Sequence, residues 1–253
     1  AVIGYGKLGG KELGYASDLD MVFVHDDEAP EAAEVYTRLG QRTNTWLSAQ
    51  TPAGHLFETD LRLRPNGDAG LMVVSLESFR QYQLENAWVW EHQALTRARF
   101  CAGDREIGRK FEEIRVEVLR QKRDLTKLRE EVIAMRQRMA DAHPNKTELF
   151  DLKHDRGGLI DVEFIVQYLV LGHAHQHASL TGNLGNIALL HMAGELGLIP
   201  PEQAGTVADS YREYRRLQHG LRLNNQASRV EREQVAEAAA GVRALWEQVF
   251  GTA

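Results

Sequence analysis

The sequence predicts an α+β fold in two parts, a small sheet-bearing domain followed by a bundle of helices. Three observations carry this. Residues 1–5 and 19–25 are short apolar runs on either side of a glycine-rich segment, which is the pattern of two joined strands. Residues 55–64 alternate, with Phe57, Thr59, Leu61 and Leu63 on one side and Glu58, Asp60, Arg62 and Arg64 on the other, as a half-buried strand does. From residue 105 onward, apolar positions recur at helical intervals.

Composition sets the frame. The chain has 253 residues, 43% hydrophobic and 26% charged, enough for one or two domains with a sizeable core. A formal net charge of -6 argues against a dedicated nucleic-acid binder, which needs a basic face. Cys101 is the only cysteine, so no intrachain disulfide can form. No stretch reads as a signal peptide or a membrane-length apolar run, and a reducing, cytoplasmic setting is expected. Residues 1–3 already read as strand, which suggests a fragment cut from a longer polypeptide.

Gly4-x-Gly6-x-x-Gly9 follows a strand as the dinucleotide-binding fingerprint does, but that motif opens a helix of several turns, and here the next strand arrives too soon. Gly10-Lys11 is followed by Glu12, so a Walker A loop is excluded as well. Residues 31–49 place Val35, Leu39, Trp46 and Leu47 at helical spacing, a face expected to pack on the sheet. Residues 65–70 form a turn, and 71–74 a short strand. Residues 76–100 read as helical, with Trp88, Trp90, Leu95 and Phe100 supplying core bulk. The break at residues 102–104 sets the expected domains at 1–103 and 104–253.

In the second domain, residues 105–142 form helices whose Lys, Arg and Glu make a solvated face. Residues 159–171 are apolar almost all round, so Asp161 and Glu163 need partners or a function, and Lys153, Asp155 or Arg156 could pair with them. His173, His175 and His177 invite a zinc reading, but on a helix only His173 and His177 share a face, with no acid or cysteine close by in sequence. Helices over 184–199, 202–225 and 230–250 complete an all-helical domain.

The chemistry concentrates in residues 4–20. If residues 18–24 are a strand, Asp18 and Asp20 project from one face about 6–7 Å apart. Two like charges beside the apolar run 21–24 are costly unless a cation neutralises them, and magnesium suits two carboxylates. Gly9-Gly10 would let a backbone approach phosphates, flanked by Lys7 and Lys11. The charged side of residues 55–64 fits a plain solvent-exposed face as well as it fits a site.

Four stretches carry a resemblance: GYGKLGGKELGYASDLD at 4–20, FETDLRLRPNG at 57–67, WEHQALTRAR at 90–99 and DLKHDRGGLIDVEFIVQYL at 151–169. Together they resemble the glutamine synthetase adenylyltransferase family, and more closely its C-terminal, adenylylating half. The resemblance implies a polymerase β-like nucleotidyltransferase domain with a mixed sheet, followed by the helical bundle. It implies ATP as substrate and Mg2+ as cofactor, with Asp18, Asp20 and Asp60 as catalytic metal ligands and Asp60 as the base. Gly9, Gly10, Lys11, Ser17, Arg62, Arg64 and Lys153 are the implied nucleotide contacts. Glutamine synthetase would be the protein substrate and a PII signalling protein the regulator, with glutamine as effector and neither nucleic acid nor membrane involved. Two other readings stand beside it: phosphorolytic removal of AMP by the sister half, and a non-catalytic module that binds a regulator.

Overall fold

A computed structural model describes residues 1–15, 17–55 and 57–251. The chain divides into two compact units, Ala1–Gln121 and Lys122–Ala253.

The first unit is built on the glycine-rich hairpin. Strand β1 (Val2–Gly4) runs through helix α1 (Gly6–Gly9) into β2 (Leu19–His25), and the two strands pair antiparallel with Val2 opposite Phe23 and Gly4 opposite Met21. Helix α2 (Ala32–Leu47) follows. Strand β3 (Thr59–Asp60) then pairs parallel with the start of β2, and β4 (Val73–Ser75) pairs parallel with its end. Helices α3 (Leu76–Glu85) and α4 (Val89–Leu95) lead to β5 (Arg99–Ala102), antiparallel to β1. The sheet is therefore mixed, in the order β3-β2-β1-β5 with β4 also on β2. Residues Met21, Val22, Phe23 and Val24 of β2 are all buried, because the central strand is covered on both faces. Helix α5 (Arg105–Leu119) is capped by Asp104, whose carboxylate accepts from the amides of Glu106 (2.8 Å) and Ile107 (3.2 Å).

Four expectations for this unit change. The strand predicted over 55–64 shrinks to Thr59–Asp60, and Arg62 and Arg64 lie in the turn beyond it. The helix predicted over 76–100 ends at Leu95, and its last residues become β5, which occupies the otherwise free edge of β1. Of the predicted core tryptophans, Trp88 is 68% exposed. Helix α2 forms as expected but on a different face: Ala32 and Gly40 are its buried residues and Tyr36 packs against the core, while Val35, Leu39, Trp46 and Leu47 are exposed. Gly40 sets that choice, since a Cβ there would stand 3.0 Å from Val73 and 3.6 Å from Phe23, so the helix approaches through its small residues.

The division after Gln121, where the sequence suggested residue 103, follows from α5. That helix packs on β5, α3 and α4, with Phe111 5.6 Å from Phe79 between ring centroids.

The second unit begins with α6 (Leu125–Ala142), capped by Asp124, followed by β6 (Phe150–Asp151), α7 (Leu159–His173), α8 (Asn186–Glu195), α9 (Pro201–Leu223), β7 (Arg229–Val230) and α10 (Ala236–Phe250). It is not purely helical, because β6 and β7 pair antiparallel. Helix α7 is its axis. Residues 159–172 are buried apart from Glu163, so each large apolar side chain there contributes about 1.5–3 kcal/mol. No described helix is long and apolar enough to cross a membrane.

Candidate active site

The parallel register of β2 and β3 sets Asp20 opposite Asp60. This brings together the acids of two separate sequence motifs. Asp18 lies just ahead of β2, exposed, and adds to the negative field at Asp20. Burial, then the charges of Asp60 and Asp18, push the Asp20 carboxyl up to about 6 against the pull of Lys7 and Arg97.

Gly6 makes the position of Asp20 possible. Its φ is +49°, and a side chain there would place its first carbon 2.3 Å from Asp20 Oδ2. The backbone ties in at the same place, with the Tyr5 amide donating to the Asp20 carbonyl at 2.8 Å. The turn into α1 and the carboxylate of β2 are thus one packed unit.

Asp60 has a different environment. The backbone amide of Arg62 donates to its Oδ1 at 2.8 Å, and Arg62 Nε donates to Oδ1 (3.1 Å) and Oδ2 (3.0 Å). These hydrogen bonds hold the Asp60 carboxyl below the usual carboxylate range. The Arg62 side chain remains 73% exposed, so it grips Asp60 from the solvent side. Arg64 donates to the carbonyls of Leu61 (2.8 Å), Asp68 (3.2 Å) and Gly70 (3.3 Å), and so closes the turn after β3.

The glycine pair has a structural task. A Cβ at Gly9 would stand 2.2 Å from the Arg97 carbonyl oxygen and 2.4 Å from that of Gly4, and the Gly9 and Gly10 amides donate to Tyr5 and Gly6. Both glycines are needed for packing on the chain behind them. Arg99 holds the same segment from below, Nε donating to the Gly9 carbonyl at 3.1 Å and Nη2 to that of Leu8 at 3.0 Å, while Arg97 Nη2 donates to Glu12 at 2.7 Å. The arginines at the end of WEHQALTRAR are thus clamps on the glycine-rich segment. Glu91 accepts from the Tyr82 hydroxyl (2.9 Å) and the Trp88 amide (2.9 Å), which fixes the start of α4.

Ser17 is buried, its Oγ accepting from the Gly14 amide at 2.9 Å, so it shapes the approach to Asp18. Lys11 is exposed with φ +58°. Lys153 is exposed in the second unit, its amide donating to Asp151 Oδ1 at 2.9 Å.

Sequence reasoning left the partner of Asp161 open among Lys153, Asp155 and Arg156, and the structure supplies another. Arg136 Nε of α6 donates to Asp161 Oδ1 at 2.5 Å, both side chains being 1% exposed, and the Gly157 amide donates to Oδ2 at 2.6 Å. Among the described residues no three acids, histidines or cysteines stand close enough to enclose a metal ion, and this includes the histidines at 173, 175 and 177. At the Asp20 site, Arg62 donates to both oxygens of Asp60. The donor set nevertheless suits a hard cation, being all carboxylate, and the Asp20 carboxyl is raised by burial first and then by the charges of Asp60 and Asp18.

Comparison with known proteins bears on the family. Residues 1–114 match the family model for glutamate-ammonia ligase adenylyltransferase, and residues 126–248 match that for GlnD PII-uridylyltransferase. The whole chain is 70% identical to part of a bifunctional glutamine synthetase adenylyltransferase/adenylyl-removing enzyme of Aromatoleum aromaticum, covering 27% of that protein. Proteins of the same description from Ralstonia nicotianae and Nitrosomonas europaea are 60% and 58% identical over all of this chain, which covers 27% and 29% of them. The chain therefore spans little more than a quarter of these relatives. The resemblance to the glutamine synthetase adenylyltransferase family therefore holds along the whole chain, which is similar to part of its members.

Proposed function

We propose that the first unit transfers AMP from ATP to a tyrosine hydroxyl of glutamine synthetase, as part of the adenylylating half of a longer enzyme. The observation that carries this is the Asp20–Asp60 register, which sets the acids of two family-like motifs face to face with Asp18 beside them. In this reading Asp18, Asp20 and Asp60 hold magnesium, which when bound neutralises triphosphate charge and polarises the reacting oxygens.

The chain's own residues account for the remaining steps. Lys7, whose charge acts on Asp20, and Lys11 beside the glycine pair supply positive charge for the triphosphate, and Arg62, whose side chain is 73% exposed, exchanges Asp60 for a phosphate oxygen. That exchange frees Asp60, whose carboxyl Arg62 otherwise keeps low, to accept the phenol proton. The phenol oxygen forms a bond to the α-phosphorus, the bond from that phosphorus to the bridging oxygen breaks, and pyrophosphate leaves. A phenol of reference pKa about 10 needs such help at neutral pH. Arg64, Arg97, Arg99, Gly9 and Gly10 hold the frame, and Ser17 sets the loop. PII remains the proposed regulator, a reading supported by the family match over residues 126–248.

The test is incubation of the chain with glutamine synthetase, magnesium and α-labelled ATP, followed by mass analysis. Label on one tyrosine, lost in Asp60→Asn, supports the reading. Release of ADP from already adenylylated glutamine synthetase given phosphate would reassign the same acids to AMP removal. Neither activity in folded protein would overturn the enzymatic reading in favour of a docking module.

A further inference from the structure

The second unit holds a cavity of about 390 Å³ whose wall is unusually cationic. Four arginines reach it from segments far apart in sequence: Arg136 on α6, Arg156 before α7, Arg232 after β7 and Arg243 on α10. His143 and His154 line it as well, their rings stacked at 4.5 Å. The one carboxylate in the wall is Asp155, which accepts from Asn145 Nδ2 at 2.9 Å and lies 3.7 Å from Arg232.

The partners of these arginines leave charge over. Arg136 uses Nε on Asp161 and Nη2 on the His154 carbonyl at 2.8 Å, but its Nη1, in a side chain fully buried, has no hydrogen-bond partner. Arg156 lies over the Trp246 ring, 5.6 Å from its centroid, and donates to Gln137 at 3.1 Å. Arg243 donates to the Arg156 carbonyl at 3.4 Å, and Arg232 Nε to that of Glu148 at 2.8 Å. Among the described residues, neither Arg156 nor Arg243 has a carboxylate within ion-pair distance. Like charges gathered round one cavity, with a buried N–H unmet, are unfavourable in an empty protein and favourable around an anion. The overall charge of -6 makes the concentration local to this site.

We infer that this cavity of the second unit is a binding site for a small phosphorylated molecule. Phosphate is the favoured headgroup because its several terminal oxygens can accept from arginines arriving from different directions, whereas one guanidinium fork satisfies a planar carboxylate. The volume exceeds what a bare phosphate fills and falls in the range of small-molecule sites. The site assigns Arg156 and Arg243 to the phosphate and the buried Arg136 to its inner oxygen.

The test uses the full chain and follows the imidazole NMR signals of His143 and His154 during titration with inorganic phosphate, ribose 5-phosphate and succinate. Saturable shifts with a phosphate compound, weakened about tenfold or more in Arg156→Gln and in Arg243→Gln, are expected, each substitution removing one charge-assisted contact. Both arginines are exposed, so neither variant threatens folding. Tighter binding of ribose 5-phosphate than of phosphate would place the organic body in the cavity; equal binding would make phosphate itself the ligand. Succinate binding as well as phosphate would overturn the headgroup assignment. Unmoved histidine signals at about 10 mM of either phosphate compound, or variants that bind like the parent, would overturn the site.

Discussion

Each unit places an aspartate among apolar neighbours, and the two are handled in opposite ways. Asp161 at the start of α7 meets a buried arginine and a backbone amide, so its charge is answered within the framework. Asp20 on β2 faces Asp60 and Asp18, and its carboxyl rises to about 6 because burial and like charges outweigh Lys7 and Arg97. A carboxylate that the fold has neutralised is part of the architecture. One that the fold leaves among other carboxylates waits for a charge from outside, at a cost in stability. The same residue type in the two halves therefore signals different things, and the difference lies in the neighbours.

The comparison breaks most sharply if Asp20 is neutralised. Asp20→Asn is expected to lower AMP transfer at least about a thousandfold, the scale of removing a principal charge from a catalytic site. It should also stabilise the fold. Because the folded carboxyl is raised from 3.8 to about 6, the folded chain binds this proton more tightly than the unfolded one. Stability from this group is therefore fully present below about pH 4, is lost as pH rises to about 6, and stays lost at neutral pH. The penalty is at most about 3 kcal/mol. Urea unfolding from pH 4 to 8 should show that decline in the parent and not in Asp20→Asn. A variant that is inactive and also less stable at pH 7 would make Asp20 a framework residue like Asp161.

The converse test concerns Arg136 and Asp161. Either Arg136→Met or Asp161→Leu leaves a buried charge alone and is expected to cost about 3–5 kcal/mol, whereas the double variant should cost far less than the sum. Denaturant midpoints of the four proteins measure this directly. Additive losses would mean that the two groups are held by other contacts and are not answering one another.

How far these two sites were legible from sequence follows the same line. Strand β2 was readable because a run of apolar residues bounded by glycines and acids admits few other structures, and its acids stood out against that run. Asp60 was readable as a site residue only through resemblance, since an alternating strand shows acids on any wet face. Arg136 reads in sequence as one more charge on a solvated helix face. It had a signal, since Leu128, Val132 and Arg136 are spaced by four and lie on the apolar stripe of α6, where a solvated arginine does not belong. The face of α2 is hard to read for the opposite reason: its large apolar residues point to one face, while the close approach is made by Ala32 and Gly40, whose smallness carries little weight in one dimension. Strand β5 was read as helix because its reason is the free edge of β1, a partner nearly a hundred residues away.

A smaller effect sharpens the account of the Asp20 site. Gly6→Ala introduces a side chain at φ +49° and directs it against the Asp20 carboxylate. The backbone cost alone is about 1 kcal/mol, with more from displacing the carboxylate. Transfer should fall further than stability does, because Asp20 must move for the alanine to fit. Loss of stability with full activity would separate Gly6 from the site.

The smallest effects test the division of the chain. Asp104 and Asp124 cap the helices on either side of it with nearly the same geometry, Asp104 accepting at 2.8 and 3.2 Å and Asp124 at 2.9 and 3.2 Å. Replacing either by alanine should cost about 1 kcal/mol, which speeds hydrogen exchange by opening about fivefold. The two variants differ in where that loss is felt. Asp104→Ala is expected to act on β5 and α3, since α5 packs on them, and Asp124→Ala on α7, which packs with α6. If Asp104→Ala instead left β5 unchanged and loosened α7, helix α5 would belong with the second unit, and the boundary at residue 103 that the break at residues 102–104 suggests would be restored.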